Sequence, residues 1–200
     1  MEQLKMIRFF DKADNARSPA YRIPEGFFIR EATEKDGADW CKCCLNGELN
    51  VNECSFDIFK QRMLDDSTVS INNIFMICDN NGNVAGTATA RRPTENHYEN
   101  IGILHMVAVA DEYKGKGLAG PVCEAAVNRV RSMGYKGCYL STDDFRLPAI
   151  KTYLKLSFIP IITDDEMRVR WEKVLKQLNI KSVKAVDRTL NSVPALEITD

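Results

Sequence analysis

The sequence predicts an α/β fold: a mixed, mostly antiparallel central sheet flanked by helices. Three observations carry this. Ile74 to Cys78 and Val84 to Ala90 are apolar runs rich in strand formers, joined by Asp79-Asn80-Asn81-Gly82-Asn83. An Asn-Gly pair tolerates positive φ, so the two runs read as a hairpin and pair antiparallel. Ile101 to Ala110 is the longest nearly apolar run and the strongest strand candidate. Behind it Leu118, Val122, Ala125, Ala126, Val130 and Met133 recur at helical spacing and Gly134 closes the helix, with a short strand at Tyr139 and Leu140. That strand–helix–strand unit, 101 to 140, implies a parallel pair.

The remaining elements follow in chain order. Residues 1–26 read as an N-terminal extension, because Pro19 and Pro24 interrupt any regular element. Phe27 to Ala32 is a first strand. Thr33 followed by Asp36 resembles a capping box and opens a helix through Trp40 to Leu45. Phe56, Phe59 and Met63 form a second short helical stripe. Pro148 sits near the start of another helix, where its missing N–H costs little, and Ala149, Tyr153 and Leu156 share a face of it. Met167, Trp171, Val174, Leu175 and Leu178 mark a last helix; beyond Lys181 the pattern is unassigned. The expected organisation is one domain over 27–162, with a C-terminal helix and tail, 163–200, packed on it.

Composition bounds the function. Of 200 residues, 44% are apolar and 28% charged, and the formal net charge is −1. That balance supports a globular domain and argues against a general binder of nucleic acid or membrane surfaces. No apolar run reaches the length of a membrane helix, and the start, MEQLKMIRFFDKAD, lacks the apolar stretch of a signal peptide. Seven cysteines, an odd number, suit reduced thiols rather than a disulfide framework. A cytoplasmic protein is expected. Cys41 and Cys44 stand at C-x-x-C spacing, but no second C-x-x-C or Cys/His pair accompanies them, so Cys41, Cys43 and Cys44 read as core or surface thiols and no metal is expected.

The informative segment is Tyr113-Lys114-Gly115-Lys116-Gly117-Leu118-Ala119-Gly120. Closely spaced glycines let backbone N–H groups turn towards a ligand. The helix start behind them adds orphan N–H groups and a positive dipole end, and Lys114 and Lys116 add charge. Together they suit a pyrophosphate. The spacing of a Walker loop is absent. Gly115, Gly117 and Gly120 do satisfy Gly-x-Gly-x-x-Gly, but a Rossmann loop should follow the first strand of a parallel array, and antiparallel strands precede this one. A plain glycine-rich turn with a solvated lysine pair is the remaining alternative.

The stretch LHMVAVADEYKGKGLAG resembles motif A of the GNAT superfamily, a strand ending in apolar-x-Val, a short connection, then Arg/Gln-x-x-Gly-x-Gly/Ala. Lys114, Gly117 and Ala119 map onto it, with Lys114 where Arg or Gln is usual. Downstream, TDDFRLPAIKTYLKLSF resembles the family's second motif through Ala149, Tyr153 and Phe158, while Arg146 stands for the usual Asn and Ser157 for the usual Gly. The resemblance covers roughly residues 27 to 160. It implies acyl-CoA as donor, with acetyl-CoA the expected co-substrate. It also implies a pantetheine arm held by the backbone of Val107 and Val109 and a pyrophosphate on Lys114, Gly115, Lys116, Gly117, Leu118, Ala119 and Gly120. A strand-edge N–H near Val107 would polarise the thioester carbonyl.

Tyr153 is the candidate general acid for the leaving thiolate; its alternative is a core tyrosine. His105 is the candidate base, having strand parity with Val107 and Val109 and an intrinsic pKa suited to an ammonium; a packed or surface histidine, with a fixed water as base, is the alternative. His97 reads as solvated, and Asp143 and Asp144 as an N-cap for the Pro148 helix. The predicted activity is direct transfer of an acetyl group from acetyl-CoA to a primary amine. A non-catalytic acyl-CoA sensor and a nucleotide-binding oxidoreductase are the rivals. Specificity should reside in 33–70 and 91–100, which carry no motif, so small amines and peptide amines stay open as acceptors. Monomer or homodimer is likewise open.

Overall fold

A computed structural model describes residues 2–11, 19–45, 54–95 and 97–198. The chain divides into two compact units, one of residues 10–138 and one of residues 1–9 with 139–200.

The 10–138 unit is built on four antiparallel strands in the order β2 (Phe27–Glu31), β3 (Ile74–Asp79), β4 (Val84–Arg91), β5 (Ile101–Val109). The Asn-Gly turn closes the β3–β4 hairpin, with Gly82 at φ 87° and the Asp79 carboxylate accepting from the N–H groups of Asn81 and Asn83. Helix α1 (Gly37–Cys44) follows the expected capping box: Asp36 accepts from the Thr33 N–H at 2.7 Å and its hydroxyl at 2.9 Å. The second stripe forms as a short helix α2 (Phe56–Phe59) continued by a π-turn, Lys60–Leu64.

Cross-strand register sorts the side chains into two faces. Ile74, Met76 and Cys78 point one way, under Trp40, Cys41, Cys43, Cys44, Phe59 and Met63 of α1 and α2. Of the two expected places for the cysteine cluster, core or surface, the structure shows the core. Helix α3 (Ala119–Ser132) packs on β3, β4 and β5 from the other side, where Val130 lies against Gly102 so closely that a Cβ there would be 2.5 Å away.

The unit of 1–9 and 139–200 orders its strands as β6 (Gly137–Thr142), β1 (Leu4–Phe9), β7 (Ile159–Ile162), β8 (Ser182–Asp187), β9 (Ser192–Glu197). β1 runs antiparallel to β7, β7 parallel to β8, and β8 antiparallel to β9. Helix α4 (Leu147–Lys155) precedes β7. Helix α5 (Asp165–Gln177) starts at Asp164, whose carboxylate accepts from the Met167 N–H at 2.7 Å, and buries Met167, Trp171, Val174 and Leu175. Four of these strands lie where the sequence pattern predicts none, β7 among them. β1 occupies part of the expected extension, and β8 and β9 fill the unassigned tail. Both tail strands are short and charged, and Pro194 in β9 suits an edge strand, where a lost N–H breaks no ladder.

Among the described residues no helix is long and apolar enough to cross a membrane.

Candidate active site

The end of β5 is irregular. Its register against β4 pairs Thr89 with His105 but Thr87 with Ala108, so β5 holds one extra residue there. Met106 takes up the slack at φ 47°, a left-handed conformation uncommon outside glycine. This bulge inverts the alternation. Thr87 and Thr89 share a face, so His105 and Ala108 do too, and Val107 and Val109 face the opposite way. The parity of His105 with Val107 and Val109 expected from the sequence is therefore lost. The backbone groups after the bulge alternate as well. The Ala110 N–H bonds Ala85 in β4, so the N–H groups of Val109 and Val107 point away from β4.

The chain then makes a 3₁₀ turn over Asp111–Tyr113 and enters the glycine segment. Gly115 and Gly117 stand at φ 79° and 76°. Lys114 to Gly117 are exposed, and Leu118 is buried as the hinge into α3. The first N–H groups of that helix lack intrahelical partners. Lys116 lies over the Tyr113 ring at 4.7 Å, Lys114 pairs with Asp111, and the Tyr113 hydroxyl donates to Asp79 at 2.9 Å, anchoring the turn to the β3–β4 hairpin. Space beside Gly115 is open. Gly120 differs: a Cβ there would lie 2.3 Å from the Tyr21 ring, so it is the seat of an aromatic side chain from the N-terminal segment. Sequence reasoning missed that packing, because nothing in Tyr21 itself points to a partner a hundred residues away.

His105 shares its face with Thr87 and Thr89, which are fully buried and whose hydroxyls meet no partner among the described residues. Nearby, Arg91 pairs with Asp66 at 2.9 Å and donates to the Thr68 hydroxyl at 2.8 Å. Burial, with the Arg91 guanidinium, pushes the His105 imidazole down from 6.5 to about 4, against an opposing pull from Asp66. His97 is half-buried rather than solvated: its Nδ1 meets the Thr94 hydroxyl, and burial followed by Arg91 lowers its pKa. Burial likewise pushes the Cys43 thiol up to about 12 and, with Cys54 beside it, Cys41 up to about 11.

In the other unit, Tyr153 is buried on α4, its ring edge-on to Phe158 at 6.1 Å. The helix ends in a Schellman motif: the Phe158 N–H bonds the Tyr153 carbonyl and the Ser157 N–H bonds Leu154, both at 3.0 Å. Ser157, where the family usually has glycine, stands at φ 66°. Asp143 and Asp144 do not cap α4, whose N-cap is Arg146. Asp143 pairs with Arg146 at 2.9 Å and accepts from Gln3, while Asp144 takes the Arg170 guanidinium of α5.

A sequence model described as the "Acetyltransferase (GNAT) family" matches residues 38–158, more than half of the chain. The chain belongs to the GNAT family. Solved N-acetyltransferase structures share its fold. A GCN5-related N-acetyltransferase from Sphaerobacter thermophilus is 16% identical with a TM-score of 0.57, over 80% of this chain and 49% of that one. One from Kribbella flavida is 11% identical at 0.54, over 80% and 55%. An N-acetyltransferase from Staphylococcus aureus Mu50 is 20% identical at 0.52, over 66% and 82%. This GNAT chain spans about half the length of the first two. No curated protein matches it in sequence.

Proposed function

We propose that this GNAT chain is an N-acyltransferase that moves an acetyl group from acetyl-CoA to a primary amine by direct transfer. The observation that carries the reading is the run of bulge, turn and helix in one continuous segment. N–H groups of Val107 and Val109 aimed away from β4 suit a pantetheine arm lying alongside as an extra strand. The exposed Gly115 and Gly117 turn, two lysines and the α3 start suit its pyrophosphate. In this proposal residues 27–162 form the acetyltransferase domain.

The amine nitrogen attacks the thioester carbon, the C–S bond breaks, and the thiolate takes a proton from the Tyr153 hydroxyl. A proton leaves the amine for a base. His105 is neutral at physiological pH and able to accept it, but a pKa near 4 makes it a weak base, which raises the weight of a fixed water. The protonated thiols of Cys41 and Cys43 are poor nucleophiles, which supports direct transfer over a covalent acyl-enzyme. A cytoplasmic location is part of the proposal, supported by buried thiols at 41–44.

The test is a panel of small amines and peptides with acetyl-CoA, following release of free thiol. Amine-dependent release supports the proposal. Tight binding of acetyl-CoA without release for any amine would make the chain a sensor instead.

A further inference from the structure

The N-terminal segment ahead of β2 lies against the glycine turn. The Glu124 carboxylate, half-buried on α3, accepts from the N–H of Ala20 at 2.7 Å and of Tyr21 at 3.1 Å. The Tyr21 ring rests on Gly120, and Pro24 Cγ lies 4.0 Å from where a Gly117 Cβ would be. Ala20 to Pro24 is thus a strap fixed at three points to the first turns of α3 and to the turn before it. Arg22 is exposed between the contacts.

We infer that this strap is one wall of the acetyl-CoA site and that Glu124 is the positioning residue that holds it there. The inference rests on the acetyl-CoA reading above. The strap walls rather than plugs the turn, because the space at Gly115 stays open. Two glycines in the left-handed region leave a turn that many conformations can replace, and a rigid neighbour on one side reduces that freedom before the ligand arrives. Two charge-assisted bonds to backbone N–H groups hold the strap without involving any side chain that would meet the cofactor. No motif describes this arrangement, since its parts are about a hundred residues apart.

The experiment pairs calorimetry of acetyl-CoA with trypsin cleavage after Arg22, on the full chain, for wild type, Glu124→Ala and Tyr21→Ser. Tyr21→Ser leaves α3 untouched, so it keeps the test alive should Glu124→Ala fail to fold. The strap account expects cleavage after Arg22 to quicken at least fivefold in both variants, acetyl-CoA affinity to fall about fivefold or more, and saturating acetyl-CoA to slow cleavage of wild type. Faster cleavage with unchanged affinity would overturn the inference, leaving the strap as packing only, and unchanged cleavage would remove Glu124 as its clamp. If wild type itself bound no acetyl-CoA, the proposed function would fail and the inference with it, a result distinct from either of the others.

Discussion

Replacing His105 by Asn should change how stability depends on pH. The wild-type imidazole titrates near 4 when folded and near 6.5 when unfolded. As pH falls below 6.5 the unfolded chain binds a proton that the folded chain refuses, so stability drops, and the loss completes only below pH 4. The difference between the two states is worth ~3 kcal/mol in all, and about 2.5 kcal/mol of it should be gone by pH 4.5. Asn cannot take up that proton. Urea unfolding at pH 7.5, 6.5, 5.5 and 4.5 would give both stability curves. Other titrating groups, His97 and Asp66 among them, act on both proteins, so the difference between the curves isolates His105. Wild type should lose roughly 2–3 kcal/mol more than the variant over this span. Parallel curves would refute the burial argument and restore an ordinary histidine, better suited to serve as a base near neutral pH.

Other outcomes follow from single contacts. Ser157→Gly should stabilise the fold by about 1 kcal/mol in urea, because glycine occupies the left-handed C-cap without strain. Gly120→Ala should destabilise by about 1–3 kcal/mol, since its Cβ meets the Tyr21 ring at 2.3 Å, and Tyr21→Ala in the same chain should relieve most of that loss. Tyr153→Phe removes one hydroxyl from a packed ring; if that hydroxyl protonates the leaving thiolate, kcat should fall about 10²–10⁴-fold with acetyl-CoA affinity nearly unchanged. A normal kcat in that variant would return Tyr153 to the core.

The local signals of this fold were legible where the chain obeys regular periods. The Asn-Gly hairpin, the Thr33–Asp36 capping box and the α3 stripe all formed where expected, because each rests on contacts within a few residues. The unpredicted parts depend on distant partners. β1 and the β8–β9 hairpin form only because another strand pairs with them, and residues 4–9 carry no turn or cap to announce that. The bulge at Met106 gave no sign, since methionine is an unusual choice for positive φ, and missing it put His105 on the wrong face. Ser157 was visible as a departure from the family pattern, but its φ shows what the usual glycine is for.

The central claim is that the turn after β5 holds the diphosphate of acetyl-CoA, and Gly117 tests it most directly. Gly117 is exposed at φ 76°, a conformation that Asn and Asp tolerate better than most residues. Gly117→Asn and Gly117→Asp therefore impose similar backbone strain and differ in one negative charge. Calorimetry of acetyl-CoA against wild type and both variants, each checked for folding, should show saturable binding to wild type and affinity for Gly117→Asp at least about tenfold below that of Gly117→Asn. Equal affinity in the two variants, or no binding to wild type, would contradict a diphosphate site at this turn.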